Sequence, residues 1–369
     1  MTSQEQCAMV CALCEVDPKV KWKCLDCKLL MCIKCKDRVH PKFKAANEHR
    51  VIDIKELQLD GKEEYDAFNA EEDVEVMTPR LEVKITNIKK FPTTLENITI
   101  LAISLDDSIW IGDGNELEGF HPFSKPTALQ KVKVEEQKLK VLSTFNIDVW
   151  DIAITHTNDL LMATRETKLK QIITSVNKVS ESTYELHADS FLISCVHVTK
   201  NGKVIIAANK KDPEHREIIG VMDTDGSRLT WHENDKNQKP LFEWPMSINS
   251  TSNENIFIAD LRRVVVLGKV DVIRVYNPII KHCPFRPTSV VTTPLDNVIV
   301  SDCQNHTLHI LNNTGHILTT YTTTDIGVSL PYSLAIASVG QFTVLFIGCS
   351  TLEDSSENAN LYKVNITGC

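Results

Sequence analysis

The first 49 residues of this 369-residue chain hold seven cysteines and two histidines, most of them in closely spaced pairs. Three Cys-x2-Cys pairs and two histidines make eight potential metal ligands, and Cys7 lies outside the pattern. The eight are Cys11, Cys14, Cys24, Cys27, Cys32, Cys35, His40 and His49. Thiolates and imidazoles are the usual ligands of tetrahedral zinc, so eight of them fill two sites. The sequence therefore predicts a module over residues 1–55 that binds two Zn²⁺ ions.

A disulfide-bonded secreted module is the alternative explanation for so many cysteines. The residues after Met1 provide neither the basic nor the apolar stretch of a signal peptide. In a reducing compartment cysteines stay as thiols and bind metals instead. No apolar run approaches the roughly 20 residues that span a bilayer. We therefore expect a cytoplasmic protein that does not enter a membrane.

The eight ligands can be divided between two zinc ions in sequential or interleaved order. In the interleaved order, one ion takes Cys11, Cys14, Cys32 and Cys35, and the other takes Cys24, Cys27, His40 and His49. Interleaving ties the segment together through crossed loops, and a segment of about forty residues buries too little apolar surface to fold without such links. We expect the metal ions to supply most of the stability of this module.

This spacing resembles the B-box zinc finger of the tripartite-motif (TRIM) proteins over about residues 8–54. It is closest to the type 1 B-box, because Cys14 stands where type 2 usually has a histidine. The resemblance implies the interleaved order. Some B-boxes use aspartate as a ligand, but Asp26 and Asp37 are more simply explained as solvated surface charges.

Two parts of a complete TRIM protein have no counterpart in this sequence. A RING finger would precede the B-box, yet only ten residues precede Cys11. A long coiled coil would follow it, yet residues 56–80 form a short linker with two basic and nine acidic residues. We therefore expect no enzymatic activity, and ubiquitin-ligase involvement only through partners.

From residue 81 onward, short β-branched runs alternate with Asn, Asp, Gly and Pro turns. One template recurs, with a polar residue, three apolar residues, a small residue and often Asp. Its copies lie at residues 108–113, 159–164, 203–208, 255–260, 297–302 and 344–348. Their spacing of 42 to 52 residues is that of a four-stranded propeller blade. Six copies predict an all-β fold, a six-bladed β-propeller over residues 81–369.

The repeats resemble NHL repeats. Four copies have a matching lead-in strand, at residues 150–154, 244–248, 286–290 and 330–334, and three of these contain Pro-x-Ser. The best copy is 286–318, whereas blades one, three and six are degenerate. The sixth blade is one strand short. We expect the alternating segment 81–86 to complete it by pairing with the C-terminal strand near 361–366, which removes an exposed edge.

The propeller sequence offers no convincing catalytic motif. Asp113, Asp260 and Asp302 recur at one repeat position, which predicts a bond from each carboxylate to backbone N–H groups after the second strand. Cys303 and Cys349 also share a repeat position and are interpreted as small buried residues. The histidines, among them His156, His197, His215 and His309, have no Ser or Cys near them in a known nucleophile motif.

The charge of the propeller favours protein partners. It holds 27 basic and 33 acidic residues and so lacks the basic character of most nucleic-acid binders. Some NHL propellers bind single-stranded RNA, and the lysines that could contribute here are Lys138, Lys140, Lys168, Lys170, Lys210 and Lys211. Solvated strand edges and loops explain these lysines more simply.

Large aromatic and arginine side chains before the innermost strands are the predicted partner contacts. These are Trp150, Trp244, Arg286 and Tyr332, residue types that are often interface anchors. The sequence thus favours a zinc-binding, non-catalytic TRIM-like adaptor whose propeller rim binds protein partners, with B-box self-association as a further contact. Two alternatives are an RNA-binding post-transcriptional regulator and an accessory subunit of a ubiquitin ligase that works with a RING-bearing partner.

Overall fold

The computed structural model of the chain describes residues 20–24, 30–38, 40, 49, 51–53, 83–114, 128–136, 138–186, 191–210, 216–280, 283–339, 342–351 and 357–369. The chain divides into two compact units. One comprises residues 1–79 and 280–283, and the other comprises residues 80–279 and 284–369. The predicted linker 56–80 and the predicted ligands Cys11, Cys14 and Cys27 lie outside the described residues, as do Asp26, Lys211 and His215.

The first unit contains a small antiparallel sheet and one short helix. Strand Val20–Cys24 lies in the middle and pairs with Leu30–Cys32 on one side and Val51–Asp53 on the other. Helix Ile33–Arg38 directly follows strand Leu30–Cys32, and its Lys36 Nζ lies 3.8 Å from the ring centre of Trp22. Within the described ranges, no helix has the length and apolar character that a membrane span requires.

The second unit is a six-bladed β-propeller in which every blade is a four-stranded antiparallel sheet. From the innermost strand outward, blade 1 is Ile100–Ile103, Ile109–Gly112, Ala128–Glu135 and Lys138–Asn146; blade 2 is Asp151–Ile154, Leu160–Ala163, Lys168–Ile173 and Lys178–Glu185; blade 3 is Phe191–Val198, Val204–Lys210, Glu217–Met222 and Arg228–His232. Blade 4 is Pro245–Ser250, Ile256–Asp260, Arg263–Leu267 and Val272–Tyr276; blade 5 is Pro287–Thr292, Val298–Asp302, Thr307–Leu311 and Ile317–Thr322; blade 6 is Pro331–Val339, Phe342–Cys349, Asn360–Thr367 and Lys84–Pro92. The predicted fold class is confirmed.

The outermost strand of blade 6 comes from the N-terminal side of the propeller. Lys84–Pro92 pairs antiparallel with Asn360–Thr367, so sequence from both ends of the domain closes the ring. This confirms the predicted closure, although the strand extends six residues beyond the predicted end at 86. Phe91 of this strand is 1% exposed and packs in one apolar cluster with Phe346 and Leu361.

The hairpins between the first and second strands repeat one backbone geometry. In five blades the turn contains one residue with positive φ: Asp107, Asn158, Gly202, Glu254 and Asp296, with φ between 60° and 85°. In each case its N–H donates to the carbonyl oxygen three residues earlier. Short hairpin loops commonly end on such a left-handed residue, and Asn, Asp and Gly adopt it most easily. The requirement for positive φ at this turn position therefore explains why Asn, Asp and Gly recur there in the sequence.

Alternate residues of each second strand pack against the two neighbouring blades. In blade 3, Ile206 shares an apolar cluster with Leu161 of blade 2, whereas Ile205 shares one with Ile258 of blade 4. Successive side chains of a strand point to opposite faces, and here both faces are covered. The second strands are therefore continuous apolar runs in the sequence. Each fully buried Ile or Leu stabilises the fold by about 1.5–3 kcal/mol.

Candidate functional site

Three described residues of the N-terminal unit form a group that could hold a metal ion. Cys24 ends the central strand, and its Sγ lies 3.8 Å from His49 Nδ1. The ligand atoms of Cys24, His40 and His49 all lie within 4.8 Å of one another. A thiolate and two imidazoles are zinc ligands, and burial of Cys24 and His40 is typical of a structural site. This grouping is the one that the interleaved order requires, and the fourth ligand of that order is Cys27.

The other predicted zinc ligands in the described part of this unit are Cys32 and Cys35. Cys32 ends strand Leu30–Cys32 and Cys35 lies in the helix that follows, and both are almost completely buried. They are half of the second predicted site, whose other half is Cys11 and Cys14. The structure therefore provides one group of residues that could hold a metal ion, and zinc binding at both sites stays a prediction.

The six innermost strands of the propeller surround a central cavity of about 360 Å³. We call the side on which these strands begin the entry face. Its loops precede Ile100, Asp151, Phe191, Pro245, Pro287 and Pro331. Trp150, Trp244 and Tyr332 line the cavity at this end, whereas Arg286 is not among the lining residues. Trp150 and Trp244 are partly exposed, and Tyr332 is buried.

The four predicted partner contacts therefore differ in accessibility. Trp150, Trp244 and Arg286 precede the innermost strand of their blades, as the repeat alignment predicted. Tyr332 was predicted to do the same, but it is the second residue of strand Pro331–Val339, because Leu330 occupies the equivalent position in its blade. Only the two tryptophans combine exposure with a place at the cavity mouth. The backbone N–H of Arg286 donates to Asp302 Oδ1 at 3.3 Å, which fixes its loop. Partner binding by these residues stays a prediction.

Asp151 is a cavity-lining carboxylate that sequence reasoning missed. Its Oδ1 accepts from its own neighbour Ile152 N at 2.9 Å, and its Oδ2 accepts from Val196 N of blade 3 at 2.9 Å. Burial raises the pKa of Asp151 to about 7, against these two hydrogen bonds, which lower it. The repeats contained a signal for this residue, because blade 2 has an aspartate where blades 4, 5 and 6 have Pro245, Pro287 and Pro331.

Arg165 and Glu217 form a second charged group near the cavity mouth. The Arg165 guanidinium carbon lies 4.3 Å from the ring centre of Trp150. Arg165 adopts φ 58°, and its N–H donates to Ile193 O at 3.2 Å, which holds this left-handed conformation. Burial raises the pKa of Glu217 to about 7, and the charge of Arg165 opposes that rise. Residues with such backbone geometry are enriched at binding sites.

Two of the recurrent aspartates, Asp260 and Asp302, accept hydrogen bonds from backbone N–H groups, but not from those predicted. Asp260 Oδ1 accepts from Glu243 N at 2.9 Å and from Trp244 N at 2.6 Å. Asp302 accepts from Arg286 N in the same way. These donors precede the innermost strand, whereas the predicted donors followed the second strand. The reason is topological, since the end of the second strand lies beside the start of its antiparallel neighbour.

The fold brings two histidines to hydroxyl groups that are distant in sequence. His197 Nε2 lies 2.9 Å from Ser250 Oγ of the next blade. Burial lowers the pKa of His197 to about 4, so its imidazole is neutral at pH 7. His309 Nδ1 lies 2.9 Å from Tyr276 Oη, and its Nε2 lies 3.5 Å from Asp302 Oδ2. Ser250 reaches His197 from the next blade, a contact that a nucleophile motif in the sequence does not reveal.

Three of the six lysines considered for RNA binding contact acidic residues. Lys140 Nζ lies 3.1 Å from a Glu135 carboxylate oxygen, Lys168 lies 3.2 Å from Glu185, and Lys170 lies 2.6 Å from Glu166. All three are on the third or outermost strands of blades 1 and 2. Ion pairs with glutamates leave less positive charge for a phosphate backbone.

No known protein family and no curated protein sequence matches the chain. Solved structures are similar in fold. A putative gluconolactonase has a TM-score of 0.54 at 8% identity, over 76% of this chain and 93% of that one. A virginiamycin B lyase from Staphylococcus aureus has 0.49 at 12%, over 77% and 99%. A protein of unknown function from Bacteroides caccae has 0.47 at 13%, over 62% and 81%.

These comparisons show a six-bladed propeller fold and give no support to the TRIM resemblance.

They also correct the expectation about enzymatic activity. We expected no enzymatic activity because the sequence lacks a RING and a recognisable nucleophile motif. The similar fold of a putative gluconolactonase overturns that inference, because propellers of this type include proteins assigned to catalysis. The physical reason is that a propeller gathers cavity-lining side chains from distant strands, so a linear motif is not required.

Proposed function

We propose that the chain binds a partner protein at the entry face of its propeller. The observation that carries this proposal is the pair of partly exposed indoles, Trp150 and Trp244, at the mouth of the central cavity. Tryptophan is enriched among residues that dominate binding energy, because a large rigid side chain loses little entropy when it is covered. The Arg165 guanidinium carbon lies 4.3 Å from the centre of the Trp150 ring, and this cation–π contact orders the indole.

The N-terminal module supplies a second unit in this proposal. It resembles a B-box and would hold two Zn²⁺ ions, one of them on Cys24, His40 and His49 with Cys27. Reduced cysteines are needed for this role, which fits a cytoplasmic location. Contacts between two such modules would add self-association to partner binding, in the manner of a TRIM-like adaptor.

Charge favours a protein over RNA as the partner. The propeller carries 27 basic and 33 acidic residues, and three of the lysines considered for RNA contact glutamates instead. A nucleic-acid site normally concentrates unneutralised lysine and arginine on one face. Binding at the entry face does not exclude catalysis in the cavity, since a putative gluconolactonase shares the fold.

An affinity-capture experiment tests the proposal. The full zinc-loaded chain is compared with Trp244→Ala, and with Phe342→Ala as the matched control. Phe342 is 52% exposed but begins a second strand, so it lies on the opposite face. We expect Trp244→Ala to reduce capture of a specific protein by at least about tenfold, with Phe342→Ala and nuclease treatment without effect. Full capture by a folded Trp244→Ala variant, or loss on nuclease treatment, refutes it.

A further inference from the structure

The cavity wall contains a carboxylate without a cationic partner. Asp151 accepts hydrogen bonds from the backbone N–H groups of Ile152 and Val196, and both donors are neutral. In the part of the chain that the structure describes, no ion pair to Asp151 is present. A carboxylate that has lost much of its hydration and has no counter-charge is costly to the protein unless a ligand supplies the charge.

The charged groups nearest to Asp151 are already occupied elsewhere. The Arg165 guanidinium interacts with Glu217 and Asp148, and lies against the Trp150 ring. The Cys195 thiol has a pKa well above its usual range because of burial and the nearby Asp151, so it stays neutral. Glu217 interacts with Arg165 and does not line the cavity. Among the described residues that line the cavity, Asp151 is the carboxylate, and no lysine or arginine is present there to balance its charge.

The aromatic rim is suited to a cation. The stacking of Arg165 on Trp150 at 4.3 Å is a cation–π contact within this chain. Trp244 precedes the innermost strand of blade 4, lines the same cavity and is partly exposed. The described residues place no lysine or arginine over the Trp244 ring. One aromatic wall of the mouth is thus available to a positively charged group from outside.

We propose that the cavity binds the guanidinium or ammonium group of an arginine or lysine side chain, with Asp151 as its counter-ion and Trp244 as its aromatic wall. A volume of about 360 Å³ is at the small end for ligand sites, which suits one long side chain rather than a folded segment. That the side chain belongs to a partner protein rests on the function proposed above. A free amine would use the same chemistry.

Peptide binding to the full zinc-loaded chain tests this site. The probes are acetylated, amidated alanine pentapeptides whose central residue is arginine, lysine, citrulline or norleucine, and free agmatine represents a small-molecule source. Affinities come from calorimetry in the micromolar to millimolar range. We expect arginine or lysine to bind at least about tenfold more tightly than its neutral counterpart, because a hydrogen bond between charged groups is lost. Agmatine tighter than every peptide would reassign the ligand to a free amine and overturn the protein source.

Variants locate the site. Asp151→Asn removes the charge and keeps one acceptor oxygen, so one of the two backbone donors keeps its partner, and it should weaken the cationic peptide at least about tenfold. The control is Asp107→Asn, which removes an exposed charge from the blade 1 hairpin on the face opposite the entry face. Equal binding of citrulline and arginine, no binding of any probe, or full binding by Asp151→Asn overturns the inference. The comparison of citrulline with arginine needs no variant, so it decides the matter even if Asp151→Asn does not fold.

The two proposals fail in different ways. If Trp244→Ala loses the captured protein but Asp151→Asn keeps it, partner binding stands and the cation site is wrong. If the arginine peptide binds through Asp151 but capture is unchanged by Trp244→Ala, the cation site stands and the proposed function is wrong.

Discussion

At the scale of single residues, the propeller contains carboxyl groups that oppose its own stability at neutral pH. Burial raises the pKa of Asp151 from 3.8, and that of Glu217 from 4.5, to about 7 in both cases. The folded chain therefore keeps protons between about pH 4 and 7 that the unfolded chain releases. Stability from these groups is fully present below the unfolded pKa and is lost as pH rises through the folded pKa.

Replacement of Asp151 by asparagine should remove this loss. We expect Asp151→Asn to raise the free energy of unfolding at pH 8 by between about 1 and 4 kcal/mol, the upper value being the full pKa difference. At pH 4 the wild-type carboxyl is already protonated, so the gain should vanish. Urea unfolding at both pH values measures the difference, with Asp107→Asn as the exposed control. A stability change that is equal at pH 4 and pH 8 contradicts the assigned burial.

The sequence reveals some of these residues and hides others for physical reasons. Trp150 and Trp244 could be predicted because the repeat alignment places both before an innermost strand. Asp151 departs from the proline of three other blades, a signal that becomes meaningful only when that position is known to face a cavity. His197 and Ser250 are 53 residues apart and meet through neighbouring blades, so their contact depends on the closed ring.

At the scale of elements, repetition made the propeller predictable. All six second strands lie where the apolar template placed them, because strands covered on both faces must be continuously apolar. The innermost strands of blades 1 and 3 were not predicted. Blade 3 has Cys195 where blades 4, 5 and 6 have serine, and its bulge lies between Ile193 and Cys195 rather than after a proline. The bulged backbone at this position of the innermost strand therefore accommodates cysteine as well as serine.

The strand Lys84–Pro92 is the element whose loss should be most damaging to the ring. Without it, Asn360–Thr367 becomes an exposed edge that pairs readily with another chain. Loss of the buried Phe91 alone should cost about 3–5 kcal/mol. We expect a chain beginning at residue 93 to unfold at lower temperature and to form oligomers.

A chain beginning at residue 83 is the control for this truncation, because it lacks the N-terminal unit but keeps the closing strand. Thermal unfolding and size-exclusion chromatography compare the two. We expect the longer chain to be monomeric and to unfold cooperatively. Identical transition temperatures and elution volumes for both chains would show that the closing strand is dispensable.

At the scale of the whole molecule, the two units use different sources of stability. The propeller contains several large apolar clusters between its blades. In the described part of the N-terminal unit, the fully buried residues are Cys24, Met31, Cys32, Cys35 and His40, four of which are metal-ligand types. A unit whose buried residues are mainly potential ligands depends on the metal for folding. The two units should therefore respond differently to removal of zinc.

Metal analysis and chelation together test this dependence. We expect two Zn²⁺ ions per full-length chain, and one in the Cys24→Ser/His49→Ala variant, because that change removes two ligands from one site only. Excess chelator should abolish the unfolding transition of the N-terminal unit, since structural zinc is worth roughly 10–16 kcal/mol in small domains. The propeller transition should remain, because its ring closes through residues 83–369. One zinc ion or fewer in the wild-type chain would show that the second site is absent, and an unchanged N-terminal transition in chelator would show that its fold does not require metal.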